Sequence, residues 1–241
     1  VADVRYGHPQ FGQLARCGCL EATLVAARQA AAAARADTLT QQLAAELGRL
    51  ASCTLDTIDR RRPCVDLLWQ GQAYPQAEQR RLLNRACGLA RHYVASESLY
   101  LYGPPGGAKS HLAAAILNAQ AQAGVAGRYG SMPALLRLLR GGFRDGTADE
   151  RLEALMIAEL LVIDDLGVEQ GGDWAYAQFF DLLSIRINRG LPTIITSNLP
   201  PDRHEPRIAS RIAGEFALLP LILSDYRLVQ AEQRAARRSE A

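Results

Sequence analysis

Ser98-Leu99-Tyr100-Leu101-Tyr102-Gly103-Pro104-Pro105-Gly106-Gly107-Ala108-Lys109-Ser110-His111-Leu112 is the stretch on which the fold turns. Its first five residues read as a short strand running into Gly103. From Lys109 to Ala123 the residues Leu112, Ala115, Ile116 and Ala119 fall on one helix face. A glycine-rich turn ending in Lys-Ser, entered from a strand and opening a helix, is the context of a phosphate-binding loop. Backbone N–H groups curl around β- and γ-phosphates, and the helix N-terminus adds positive potential. The expected nucleotide contacts are Gly103, Pro104, Pro105, Gly106, Gly107, Ala108, Lys109, Ser110 and His111. Lys109 places a charge on the β/γ oxygens, and Ser110 ligates Mg²⁺. The strict pattern G-x-x-x-x-G-K-[ST] has glycine where Ala108 stands, and Gly107 sits one place early. A Cβ there strains the loop by about 1–2 kcal/mol if the position needs positive φ. The plain alternative is a Gly/Pro turn between a strand and a helix.

Composition narrows the choice. Of 27 lysine and arginine residues, Lys109 is the sole lysine, and it lies inside the glycine-rich loop. A chain of 241 residues suits one α/β domain plus a small appendage. The apolar fraction of 49% against 22% charged excludes a wholly disordered chain. No run of eighteen apolar residues exists, which excludes a helical membrane span, and nothing at the N-terminus reads as a signal peptide. Five cysteines do not look like a secreted disulfide scaffold, and a cytoplasmic chain is expected. A net charge of +2 does not by itself imply a nucleic-acid partner.

Outward from the loop, strands and helices alternate. Helices are expected over 76–94, 109–123, 133–140, 148–158, 174–188 and 207–213, and strands over 98–102, 127–131, 160–163, 193–196 and 216–223. The fold class is therefore α/β, a parallel five-stranded sheet flanked by helices. Pro220 must then sit at an edge or bulge. Leu160-Leu161-Val162-Ile163-Asp164-Asp165 is an apolar strand ending in two carboxylates, at the end where such sheets bind ligands. Asp164 is expected to hold Mg²⁺, directly or through water, and Asp165 to polarise the attacking water. A capped turn before Gly167 is the alternative. Thr193-Ile194-Ile195-Thr196-Ser197-Asn198 ends in polar groups, and Asn198 is expected to orient the same water unless it merely favours the strand exit.

With these motifs in this order, residues 76–228 resemble the bacterial helicase-loader group of AAA+ ATPases (DnaC type), which includes the IstB transposition helper ATPases. The resemblance rests on Leu99–Ala115, Leu160–Gly167, Leu191–Pro200, Arg207–Ile212 and Asp225-Tyr226-Arg227. It implies ATP and Mg²⁺ as cofactors and Arg211 as an arginine finger acting on a neighbour's γ-phosphate. Arg227 would be a second sensor arginine, while Arg207 is open between a role and a surface charge. The implied partners are a replicative DNA helicase, single-stranded DNA and further copies of the chain, and no membrane. The alternatives kept open are a transposition helper and a non-hydrolysing nucleotide-gated adaptor, the latter prompted by Ala108. A full helical lid after Arg227 is not expected.

The organisation expected is an N-terminal extension over 1–60, a linker over 61–75 and the ATPase domain over 76–241. A helix over 20–50 offers an apolar stripe to a partner or to its own domain. His8, Cys17 and Cys19 could supply three zinc ligands, though the usual CxxC spacing is missing. Residues 60–91 carry seven arginines and two carboxylates, readable as a nucleic-acid track or a solvated surface. Arg137, Arg140 and Arg144, near Phe143, could line a DNA channel in an assembly.

Overall fold

The computed structural model describes residues 18–145, 148–167 and 172–239. In chain order come α1 (Gly18–Leu47), a 3-10 turn (Gly48–Ser52), β1 (Leu67–Trp69), β2 (Gln72–Tyr74), α2 (Gln76–Arg91), β3 (Ser98–Tyr102), α3 (Lys109–Gln122) and β4 (Gly127–Ser131). After these follow α4 (Met132–Asp145), α5 (Ala148–Ile157), β5 (Leu160–Leu166), α6 (Gly172–Asn188), β6 (Thr193–Ser197), α7 (Pro206–Glu215), β7 (Phe216–Pro220) and α8 (Tyr226–Ser239).

Five strands pair in the order β4-β5-β6-β3-β7, all parallel. Side chains alternate across a strand, and a sheet covered on both faces needs apolar residues at both parities. The strands obey this. Leu99 and Leu101 of β3, Leu160 and Val162 of β5 and Ile194 of β6 join a core with Leu112, Ile116 and Leu117 of α3 and Leu83 of α2. Tyr100, Leu161, Ile163 and Ile195 face the opposite way into a core with Phe179 and Leu183 of α6 and Ile208 and Ile212 of α7. Pro220 falls on β7, an edge strand, as its missing N–H requires.

The central helix α3 is apolar nearly all round because it is covered twice. Ala113, Ala114 and Ala115 are buried, and α1 packs over α3 and β4 as a third layer through Leu43 and Leu47. The C-terminal half of the N-terminal helix therefore docks on its own domain. Arg186 is wholly buried and donates to the carbonyls of Leu155 (2.7 Å), Ala158 (3.0 Å) and Pro192 (2.7 Å), and to Thr193 Oγ1 (2.9 Å). It ties the end of α5 to the start of β6.

Three stretches differ from the sequence reading. Residues 61–75, expected as a linker, hold the antiparallel hairpin β1–β2 and a buried Arg62. The pairing is only three residues on each strand, too short for an alternation pattern to register. The last strand stops at Pro220 rather than residue 223, and the residues after Arg227 continue α8. His8 and Cys17 lie outside the described residues, as does the side chain of Cys19. Among the described residues no group of three or more His, Cys, Asp or Glu could hold a metal ion. Likewise, no helix among the described residues is long and apolar enough to cross a membrane.

Candidate nucleotide-binding site

The loop between β3 and α3 is shaped by what lies behind it. Residues 221–225 leave β7 and pass directly beneath the loop. A Cβ on Gly107 would sit 2.7 Å from the Leu221 carbonyl oxygen, and one on Gly106 would run into the Asp225 carboxylate. That contact requires glycine at 106 and 107. Ala108, where the strict pattern has glycine, takes the left-handed conformation at φ 67, ψ 15. The strain expected from its Cβ is therefore present. Helix α3 starts immediately after it, with the Leu112 N–H donating to the Ala108 carbonyl at 2.9 Å.

Lys109 is buried, with 5% of its surface exposed. Its amine donates to the carbonyls of Gly103 and Pro104 and to Asn198 Oδ1, each at 2.8 Å. Burial pushes the ammonium down to about 8, partly offset by Asp165 and Asp164. Asp165 is pushed up by burial and by the neighbouring Asp164, against the pull of Lys109 and Arg227.

The two acids at the end of β5 are aimed differently. The register between β5 and β6 is irregular between Ile163 and Leu166, and Asp165 sits at φ 60. This irregularity breaks the regular alternation at the strand end. Asp164 is buried: the Tyr129 hydroxyl donates to its Oδ2 at 2.6 Å, and the Thr196 hydroxyl donates to its Oδ1. Thr196 also accepts the Asp165 N–H at 3.0 Å. Asp165 instead lines a cleft of about 470 Å³.

Pro105 through His111, Asp165, Asn198 and Arg227 all line that cleft, and Asp164 does not. Gly103 and Pro104 contribute their carbonyls to Lys109 from behind. His111 Nε2 lies 2.9 Å from Thr57 Oγ1 and 3.2 Å from the Thr54 carbonyl, tying the segment after α1 to α3. Arg227 pairs with Asp225 at 3.3 Å. Arg211 does not line the cleft of its own chain. It lies on α7 beside Arg207, and both guanidinium groups sit over the Phe180 ring, at 5.9 and 5.2 Å. Arg137 is exposed on α4, while the side chains of Arg140, Phe143 and Arg144 are outside the described residues.

Three cleft residues escaped the sequence reading: Leu50, Arg62 and Tyr226. Arg62 donates to the Gly106 carbonyl at 3.1 Å and to the Ser224 carbonyl, and lies 4.9 Å above the Tyr226 ring. In the sequence it is the last of three consecutive arginines, and nothing in the run marks which one turns inward. The described residues offer no partner to its buried Nε.

The donor set fits a magnesium-bound triphosphate. A buried guanidinium N–H without a partner and a parked ammonium suit a polyanion. The adjacent carboxylates Asp164 and Asp165, the second disfavoured by burial and by its neighbour, are with a serine hydroxyl at the helix start the hard oxygen donors Mg²⁺ takes. A strand–glycine loop–helix with Lys109 and Ser110 at the helix start, facing Asp165 and Asn198 on a parallel sheet of this order, makes the chain a P-loop nucleotide-binding protein of the AAA+ class.

A family model described as IstB-like ATP binding protein matches residues 72–238, and the chain belongs to that family. It is 32% identical over 120 residues to the replicative helicase loader DnaI of Bacillus subtilis (strain 168), covering 49% of this chain and 39% of that protein. It is 28% identical over 145 residues to an insertion-sequence ATP-binding protein of Mycobacterium tuberculosis, covering 60% of this chain and 58% of the relative. The chain thus spans about half the length of these curated relatives. Solved structures of DnaI and of the DnaC helicase loader share the fold, with TM-scores of 0.56 and 0.55 at 24% identity. They cover 73% and 72% of this chain and 93% and 98% of their own.

Proposed function

We propose that this protein hydrolyses ATP and uses it to deliver a replicative helicase onto single-stranded DNA. The observation that carries the ATPase reading is the convergence of Lys109, Asn198 and Asp165 on one cleft, with the Lys109 amine 2.8 Å from Asn198. Bound Mg²⁺, held by Ser110 and Asp164, would supply charge neutralisation at the β/γ oxygens. Lys109 leaves its carbonyl partners for the phosphate oxygens, which compensate its buried charge better than neutral acceptors do. Asn198, released from Lys109, orients the attacking water, and Asp165 accepts its proton. Arg227 closes the cleft from α8. Arg211, which does not line the cleft of its own chain, acts across a contact with a second copy, where its planar fork matches the phosphoryl oxygens. Residues 1–60 are assigned the partner contact and 76–241 the ATPase domain, while the 61–75 stretch reaches the nucleotide cleft through Arg62.

The second reading is a transposition helper. It is favoured by the family model and by the insertion-sequence relatives. Phosphate release with single-stranded DNA present, abolished in Lys109→Ala, is the expected result for both. Absence of turnover with intact nucleotide binding would instead leave a nucleotide-gated adaptor. Co-purification with a hexameric helicase supports the loader. Co-purification with a transposase overturns it in favour of the helper.

A further inference from the structure

The carboxylate expected to carry Mg²⁺ is held from both sides. Its strand, β5, lies between β4 and β6, and each neighbour sends one hydroxyl to it. Thr196 of β6 reaches Oδ1, and Tyr129 of β4 reaches Oδ2 at 2.6 Å. A carboxylate with each oxygen fixed by a donor keeps one rotamer and offers its remaining lone pairs in a fixed direction.

Tyr129 in turn stands on an edge strand. Among the described residues no strand lies beside the outer edge of β4, so an outward N–H there takes another acceptor. Glu46, in the last turn of α1, supplies it. Its Oε2 accepts the Tyr129 N–H at 2.8 Å, and its Oε1 pairs with Arg128 Nε at 2.9 Å. One side chain of α1 thus pins two consecutive residues of β4, and the second of these holds Asp164.

We infer that Tyr129 is a positioning residue for Asp164, and that Glu46 sets it through the edge strand, so that the docking of α1 is felt at the Mg²⁺ carboxylate. This rests on the ATPase reading given above. It adds a residue whose role lies in one hydroxyl, on a strand none of whose residues lines the cleft.

The test is a titration of a fluorescent ATP analogue onto the full chain, first in EDTA and then with increasing MgCl₂. Tyr129→Phe removes only the hydroxyl. Its Mg²⁺-free affinity stays within about twofold of the parent, while the Mg²⁺ concentration for half-maximal enhancement rises roughly tenfold, as for the loss of an orienting partner of a metal ligand. Glu46→Ala moves the half-point in the same direction, and combining it with Tyr129→Phe adds little. In an Asp164→Asn background Tyr129→Phe has no further effect. A Tyr129→Phe half-point equal to the parent's overturns the role of Tyr129. Full additivity with Glu46→Ala overturns the link to α1. A parent protein that takes up no analogue in either condition overturns the nucleotide reading itself, a result separate from both.

Discussion

Replacing Ala108 by glycine restores the residue that phosphate loops ordinarily carry, and the structure fixes the size of the effect. Ala108 sits at φ 67. Relief of a left-handed alanine is worth about 1–2 kcal/mol. Against this, glycine gives the unfolded chain more freedom, costing about 0.4–1 kcal/mol. The net gain is about 0.5–1 kcal/mol, or roughly 2 °C in Tm for a chain of this size. The neighbouring substitution should behave in the opposite way. Gly107→Ala places a Cβ 2.7 Å from the Leu221 carbonyl, and both partners are backbone, so neither yields cheaply. The cost is about 1–3 kcal/mol. Exchanging the two residues therefore restores the literal motif yet gives a protein less stable than Ala108→Gly alone. Urea denaturation at constant slope measures all three. A neutral Gly107→Ala together with a destabilising Ala108→Gly would refute the account of the loop.

Three further outcomes are expected. Because burial holds the Lys109 ammonium at about 8, it loses its proton above that pH in the free protein. Nucleotide affinity should fall about tenfold between pH 7 and pH 9, whereas Lys109→Met should bind weakly with no such slope. Arg186→Met strands the carbonyls of Leu155, Ala158 and Pro192 inside the protein and should cost about 3–5 kcal/mol in urea unfolding. His204 is buried with Nε2 2.6 Å from the Tyr100 hydroxyl, and burial lowers its pKa below the usual 6.5. The unfolded chain therefore binds a proton that the folded chain refuses, so stability is lost as pH falls below about 6.5. His204→Gln should flatten that decline in a series of urea midpoints.

Local pattern was enough for much of the architecture. The run Leu160–Ile163 and the run Thr193–Thr196 are apolar at both parities, which is what a strand covered on two faces requires, and both are central in the sheet. The glycine loop was legible because its neighbours along the chain, a strand and a helix, are also its neighbours in space. For the same reason Lys109 could be named in advance at the start of its helix, and Asp165 and Asn198 at the ends of their strands. Arg62 could not be found in this way. Its partners are the Gly106 and Ser224 carbonyls and the Tyr226 ring, all far away along the chain.

Sequence by itself thus determined the order of the five sheet strands and the helices between them, the phosphate loop and the strand-end acids and amide, because each depends on residues a few positions apart. The tertiary structure alone decided which of three consecutive arginines turns inward. It also decided that Leu221 and Asp225 set the glycines of the loop, and that Asp164 is shared between hydroxyls of two other strands. Those choices depend on which segments are brought together when the sheet closes, and no periodicity within any one segment encodes them.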